Sequence, residues 1–317
     1  MSSGIISTGK VKYILFVIAG FLLTFFIERL GLVSGYVQLV TIYVGINIML
    51  CLSLNLVNGY MGEFSVGHAG FMAVGAYASA LFTVKFFPAG TSPAFFLVAV
   101  MFGGAAAALA AVIVAVPSFK TRGDYLAIVT LAFNMIVKSA FENIEYAGAA
   151  RGMLGIAKFT TLPWVFAWVV FCVWITRNFI YSGFGRGMAA IREDEIAAAA
   201  AGVDTRGVKM MVFVVSSFFA GAAGGLYAHV LQFINPAMFD VAKSTEILVM
   251  VYLGGTASIG GSIIGATAYT VLLEALRPLG LWRMVVMPLM LILLMLFRPG
   301  GIMGGREFGF FTPKGGA

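Results

Sequence analysis

Four side chains on one apolar stretch carry the strongest chemical signal. In YLAIVTLAFNMIVKSAFEN, Thr130, Asn134, Lys138 and Glu142 recur every four residues, which lines them along one helix face. An unpaired lysine near the centre of a bilayer costs roughly 2.5–3.5 kcal/mol. Lys138 is therefore expected to face protein or water, with Glu142 as its nearest pairing candidate. Two readings stand, a polar wall of a translocation path and a structural ion pair near the outer end of the helix.

A second cluster runs from Asn58 to Gly70, NGYMGEFSVGHAG, dense in glycine and short of bulk. Exposed backbone of this kind survives in a membrane only where it faces water or protein. Gly62, Ser65, Gly67 and His68 thus read either as a broken helix bordering a path or as a tight loop for close helix packing. His68 itself reads as a hydrogen-bonded loop residue or a proton relay, and His229 as an interfacial residue near the outer end of its span. Glu246 and Glu274 fall near helix ends, where solvation is the default. Cys51 and Cys172 lie inside apolar spans and read as small buried hydrophobes. No metal spacing, disulfide framework or nucleophile–acid–base set emerges, so neither catalytic residues nor a cofactor are expected. GIISTGKV, Gly4–Val11, nearly spells a phosphate-binding loop, but Val11 stands where Ser or Thr belongs and no strand can precede it.

The elements that must position these groups follow from composition. The chain of 317 residues is 61% hydrophobic and 10% charged, against about 25% charge in soluble domains. Its apolar runs are continuous rather than alternating, which selects helices over a barrel. Thirty-nine glycines suit close helix contacts. The net charge of +7 lies at span ends, as anchoring requires, and does not argue for nucleic acid.

Spans are expected at about Tyr13–Ile27, Tyr36–Val57, Phe71–Phe87, Ala94–Val116, Tyr125–Phe141, Leu162–Ile180, Lys209–Leu231 and Leu281–Phe297. The first is kept as a span rather than a signal peptide, because no small-x-small cleavage pattern follows it. Thr245–Gly254 is too short to cross a core of about 30 Å. With the break at Gly255–Gly261 and the return from Ser262 to Leu276, it makes a broken hairpin. Gly62-x-x-Ser65-Val66-Gly67 recurs as Gly255-x-x-Ser258-Ile259-Gly260, an offset of 193, which suggests an internal parallel repeat. Gly255, Ser258 and Gly260 join the candidate path residues. With the N-terminus inside, nine Lys or Arg fall in inner loops (Lys10, Lys12, Lys120, Arg122, Arg177, Arg186, Arg192, Arg206 and Lys209) against four outside. The basic residues Arg298, Arg306 and Lys314 place the C-terminus inside as well.

One polar interior loop remains, Gly183–Lys209, GFGRGMAAIREDEIAAAAAGVDTRGVK, with eight charged residues in 27. Ile191–Ala201 reads as one helix, with Glu193, Asp194 and Glu195 near its start and Gly202 as its stop. A helix of about 11 residues is marginal alone in water, and an Ala face admits a close partner. A docking helix is the expectation.

GYMGEFSVGHAGFMAVGAYASA, RGDYLAIVTLAF, the charged loop with the following FFAGAAGGLYA, and EILVMVYLGGTASIGGSIIGA together resemble the bacterial branched-chain amino acid ABC permeases, in particular the M-type subunits of the Liv system. The resemblance spans roughly Leu54–Leu276. It implies an all-α polytopic permease of about 8–10 transmembrane or half-membrane helices, similar to type II ABC importers, with residues 1–317 as one domain and 183–209 as its cytoplasmic coupling loop. It further implies an H-type sister permease, two cytoplasmic ATPases, a periplasmic binding protein and a place in the inner membrane. Arg186, Arg192, Glu193, Asp194, Glu195, Ala197 and Gly202 would meet the ATPase. The sequence departs from the family at Asn134–Lys138, where Gly-Glu-Ile-Ile-Arg is usual, and at Ala147–Gly152, where Thr-Gly-Gly-x-x-Gly is usual. Urea and short-amide permeases share the overall pattern, so a small amide is the alternative substrate.

Overall fold

The computed structural model describes residues 8–31, 33–86, 94–119 and 125–282, and beyond these 285–286, 289, 292–293, 296–298, 300–304 and 306–308. The expected turn at 88–93, Lys120, Arg122, Lys314 and much of the span 281–297 lie outside the described residues, as do the side chains of Lys10 and Lys12. Eleven α-helices are described: α1 Thr8–Leu30, α2 Gly35–Asn55, α3 His68–Phe86, α4 Ala94–Ser118, α5 Tyr125–Asn143, α6 Leu162–Ile180, α7 Gly183–Glu193, α8 Glu195–Ala200, α9 Thr205–Leu231, α10 Val241–Gly254 and α11 Ile259–Ala275. Among the described residues there is no strand beyond one isolated antiparallel bridge, Met153 with Ile234. Among the described residues, six helices are long and apolar enough to cross a membrane. With the half-length α10 and α11, they make the polytopic all-α architecture expected.

Small residues set the packing. In lipid there is little hydrophobic force between helices, so close van der Waals contact and interhelical hydrogen bonds must serve. A Cβ on Gly75 of α3 would strike the backbone of Gly221 of α9, and one on Gly103 of α4 would sit 2.6 Å from the Gly75 carbonyl oxygen. One on Gly221 would in turn stand 2.8 Å from the Gly103 carbonyl oxygen. Helices α3, α4 and α9 therefore meet backbone to backbone, the close contact that the chain's 39 glycines led us to expect. Thr83 of α3 and His229 of α9 add a hydrogen bond at 3.0 Å, and the other His229 ring nitrogen pairs with the Gly225 carbonyl. His229 is thus buried in the bundle and not interfacial; the bulk that hides it comes from Phe96 and Phe159, remote in sequence. Cys51 and Cys172 are free and buried, as expected.

Two chain breaks interrupt the bundle. Helix α2 runs on into a π-helical turn, Leu56–Met61, and the chain then continues without helix to His68. Gly62 ends the turn at φ +81°, a left-handed conformation that favours glycine. The second break lies between α10 and α11, where Gly255 has φ +117°. Ser258 caps α11 by accepting the Gly261 N–H at 2.9 Å. Both repeats of the Gly-x-x-Ser motif thus end one helix and lead into the next. The C-terminal residues close over the second break: Ile302 and Met303 donate to the Leu253 and Gly254 carbonyls, and Glu307 accepts from Ile259 and Gly260.

Candidate functional site

The Gly183–Lys209 loop forms two helices, not one. Asp194 leaves the helical conformation at φ −160° and caps α8, its Oδ1 accepting the Ile196 and Ala197 N–H groups at 2.8 and 3.0 Å. Such caps contribute about 1 kcal/mol, enough to decide a break in so short a segment. Glu193 therefore ends α7 rather than opening the helix expected at Ile191–Ala201. Gly202 is the stop that was expected, at φ +85°, with its N–H donated to Ala199.

Helix α7 turns Gly185, Gly187, Met188 and Ile191 inward. Helix α8 buries only Ala198; Arg186, Arg192, Glu193, Asp194, Glu195, Ala197 and Gly202 are all exposed. Ile196 at the tip is 72% exposed, an unusual position for a branched apolar side chain beside three carboxylates. A groove of about 600 Å³ lies alongside, lined by Ser182, Phe184, Arg186, Gly187, Val203 and Val208. The loop is tied to the first break at two points. Arg192 Nη1 donates to the Gly59 carbonyl at 3.1 Å. Lys209, buried in α9, pairs with Glu63 and, at 2.8 Å, with Glu195.

All the candidate path residues except Lys138 fall into two groups. The first break packs on α5: Val66 N–H donates to Thr130 Oγ1 at 3.2 Å, and the Asn134 Cα lies 3.0 Å from where a Cβ on Gly70 would stand. Ser65, Gly67, His68 and Asn134 are buried, whereas Gly62 is exposed. His68 opens α3 and shares a 2.8 Å hydrogen bond with Ser53. The Asn134 amide is buried with neither its oxygen nor its nitrogen partnered. Gly255, Ser258 and Gly260 gather instead against α2, where Asn55 binds the Ala257 N–H and the Ser258 carbonyl, each at 3.0 Å.

Lys138 lies one turn beyond Asn134, in neither group. Its partner is Asp240, at 2.7 Å, not Glu142. Asp240 also caps α10 through the Val241 N–H, so it arrives already oriented, while Glu142 has only the intrahelical spacing. The Lys138 ammonium and the Val241 N–H hold the Asp240 carboxyl below its ordinary range. Glu246 and Glu274 are each paired, with Lys243 at 2.9 Å and Arg277 at 3.0 Å. On the same side as Asp240, two 3-10 turns, Glu145–Ala147 and Ala149–Arg151, meet at Gly148 and shape the Ala147–Gly152 segment. Met153 and Ile234 exchange backbone hydrogen bonds at 2.7 and 3.1 Å, and Asn235 Nδ2 donates to the Ala150 carbonyl at 3.1 Å.

Polytopic helices interrupted at two glycine breaks, with a pair of short helices standing out at one of them, suit a membrane permease. The chain belongs to the family described as "Branched-chain amino acid transport system / permease component", whose pattern matches residues 36–296. It is similar to the high-affinity branched-chain amino acid transport system permease protein LivM of Escherichia coli K12, with 31% identity over 304 residues, covering 85% of this chain and 70% of that one. LivM of Salmonella typhimurium LT2 is also 31% identical, over 293 residues, covering 81% and 68%. The permease protein LivH of the same Salmonella strain is 26% identical over 285 residues, covering 82% and 91%. No solved structure matches the chain. The fold and these relatives make it a multi-pass membrane protein.

Proposed function

We propose that this chain is one of two path-forming subunits of an ATP-driven importer for branched-chain amino acids. It would act as a single permease domain in the bacterial inner membrane, with both termini and the loop 183–209 in the cytoplasm. The observation that carries this reading is α8, a helix that buries Ala198 alone, is tied to α9 by the Glu195–Lys209 pair, and presents Ile196 and Ala197 outward. Such a surface calls for a partner. The names of the relatives favour a branched-chain amino acid over urea or a short amide.

An H-type sister permease would complete the path, and two cytoplasmic ATPases would dock on Arg186, Arg192, Glu193, Asp194, Glu195, Ala197 and Gly202. A periplasmic binding protein would deliver substrate at the face that carries Ala147–Gly152. Gly62, Ser65, Gly67, His68, Asn134 and Lys138, with Gly255, Ser258 and Gly260, would border the path. They are mostly packed in this structure, which fits a path closed at the breaks. The unpartnered Asn134 amide is the group among them most in need of a hydrogen-bonding visitor. Docked ATPases would bias two packings of the breaks and so alternate access.

Reconstitution tests this reading. Proteoliposomes holding both permeases, both ATPases and the binding protein should accumulate labelled leucine only with ATP, and excess valine should compete while urea should not. Leucine flux through this subunit alone, without ATPases, would overturn it.

A further inference from the structure

The contacts beneath α7 and α8 do more than hold the loop down. Lys209 lies in the second turn of α9 with its side chain 8% exposed, and it holds two carboxylates at once. Glu195 is the first residue of α8. Glu63 directly follows Gly62, where the chain leaves the π-helical turn for the extended segment before α3. The Phe119 ring, 6.0 Å from the ammonium, closes a further side. A buried ammonium stripped of its partners is strongly disfavoured, so Lys209 follows its carboxylates or breaks with them at high cost. Arg192 supplies a second strap. Its guanidinium holds the Gly59 carbonyl, and its Cγ stands 3.0 Å from where a Cβ on Gly62 would be. The end of α7 thus grips the turn at Gly59–Gly62, and the start of α8 grips the next residue through Lys209. Lys209 thus joins the first residue of α8 to the residue that follows the π-helical turn.

We propose that Lys209 is a positioning residue that transmits displacement of α8 to the helix break at Gly62–Gly67, linking the ATPase-facing surface to the path. The break does not act alone, because Asn55, one residue before the π-helical turn, is bonded to Ala257 and Ser258 of the second break. Movement passed to Glu63 therefore reaches both interruptions of the bundle. This inference rests on the docking role given above to α7 and α8.

The test is the number of labelled leucine molecules carried per ATP hydrolysed by the complete transporter in proteoliposomes. Lys209→Met should assemble with the ATPases at wild-type stoichiometry and continue to hydrolyse ATP, but carry about ten-fold less leucine per ATP, within the usual range of coupling between sites. Lys209→Arg should recover most of the ratio, since a guanidinium can span two carboxylates. Glu63→Gln, which removes the other carboxylate of Lys209 and lies outside the docking surface, should fall between them and serves as the measurement if Lys209→Met does not assemble. A wild-type ratio in Lys209→Met or in Glu63→Gln would overturn the proposal, as would Lys209→Arg failing as fully as Lys209→Met. Ala197→Glu separates the two claims. If it keeps both the ATPases and full uptake, the docking role itself fails. If it sheds the ATPases while Lys209→Met keeps a wild-type ratio, only the transmission fails.

Discussion

Asn55 and Ser258, 203 positions apart, are joined by a 3.0 Å hydrogen bond that ties the two breaks in the bundle together. The same amide accepts the Ala257 N–H and donates to Ser262 Oγ at 2.7 Å. It lies in the buried interior, where each group left without a partner costs about 1–3 kcal/mol. Asn55→Ala should therefore lower the thermal unfolding midpoint of the purified protein by several degrees. Asn143→Ala is the comparison. It removes an exposed side-chain bond to the Ser139 carbonyl and should leave the midpoint almost unchanged.

The outward surface of α8 gives the opposite pattern. Ile196 and Ala197 are exposed, and substitutions at such positions normally change stability by no more than about 0.5 kcal/mol. Ile196→Asp and Ala197→Arg should thus leave expression and melting intact while reducing ATP-driven leucine uptake by about ten-fold or more, the size expected when a coupling contact is removed. Normal uptake in both, at normal membrane abundance, would remove α8 from the docking surface.

The glycine seam predicts a strong dependence on position. A Cβ at Gly75 meets the Gly221 backbone, which cannot rotate away. Gly75→Val should force α3 from α9 and cost at least the 1–3 kcal/mol typical of overpacking. Gly183, the first residue of α7, has only the tip of Arg186 near its would-be Cβ, at 3.9 Å. Gly183→Ala should be tolerated, or stabilise by about 0.4–1 kcal/mol through the unfolded chain. Detergent-solubilised yield and melting temperature of the two variants decide the matter.

The long spans were legible because continuous apolar runs determine them: Leu162–Ile180 agrees at both ends with α6. The broken hairpin was legible too, from the shortness of its first limb and the glycines after it. What escaped depends on contacts distant in sequence. Lys138 pointed to Glu142 by helix spacing, yet Asp240, 102 positions away, is its partner. Lys209 read as one more positive charge at a span end, and nothing local announced Glu63 or Glu195. Asp194 hid in a run of good helix formers, although an Asp before Glu-Ile-Ala-Ala is a recognisable cap. The π-helical turn had no signature of its own, since in LVNGYM the Asn58-Gly59 pair reads simply as the end of the span at Val57.

The Lys138–Asp240 pair carries a pH prediction with a definite sign. Because the ammonium and the Val241 N–H depress the Asp240 pKa, the carboxylate form stabilises the fold above the ordinary carboxylate value. That contribution disappears as pH falls through the depressed pKa. The pair is partly exposed, 27% for Lys138 and 44% for Asp240, so solvent screening limits it to about 0–1 kcal/mol. Asp240→Asn should lower stability slightly at pH 7. It should also flatten the decline measured below about pH 4 by thermal unfolding across pH.

At the opposite end from α8, Gly152 fixes the shape of the segment where the chain departs from its family. It has φ +84° and ψ +169°, a region almost confined to glycine, with strain of about 1–3 kcal/mol for other residues. A Cβ there would also stand 2.5 Å from the Ile234 carbonyl oxygen, the acceptor of the Met153 N–H. Gly152→Ala therefore opposes both the local backbone and the bridge that holds the segment against Asn235. Gly155 has φ +81° but open space around its would-be Cβ, so Gly155→Ala carries the strain without the collision. If this face receives the binding protein, Gly152→Ala should raise the binding-protein concentration needed for half-maximal uptake several-fold, while Gly155→Ala should shift it little. The ratio of leucine to ATP should stay at the wild-type value in both, because the contacts between α8 and the first break lie at the other end of the bundle. Equal half-maximal concentrations in the two variants would place the receiving surface elsewhere.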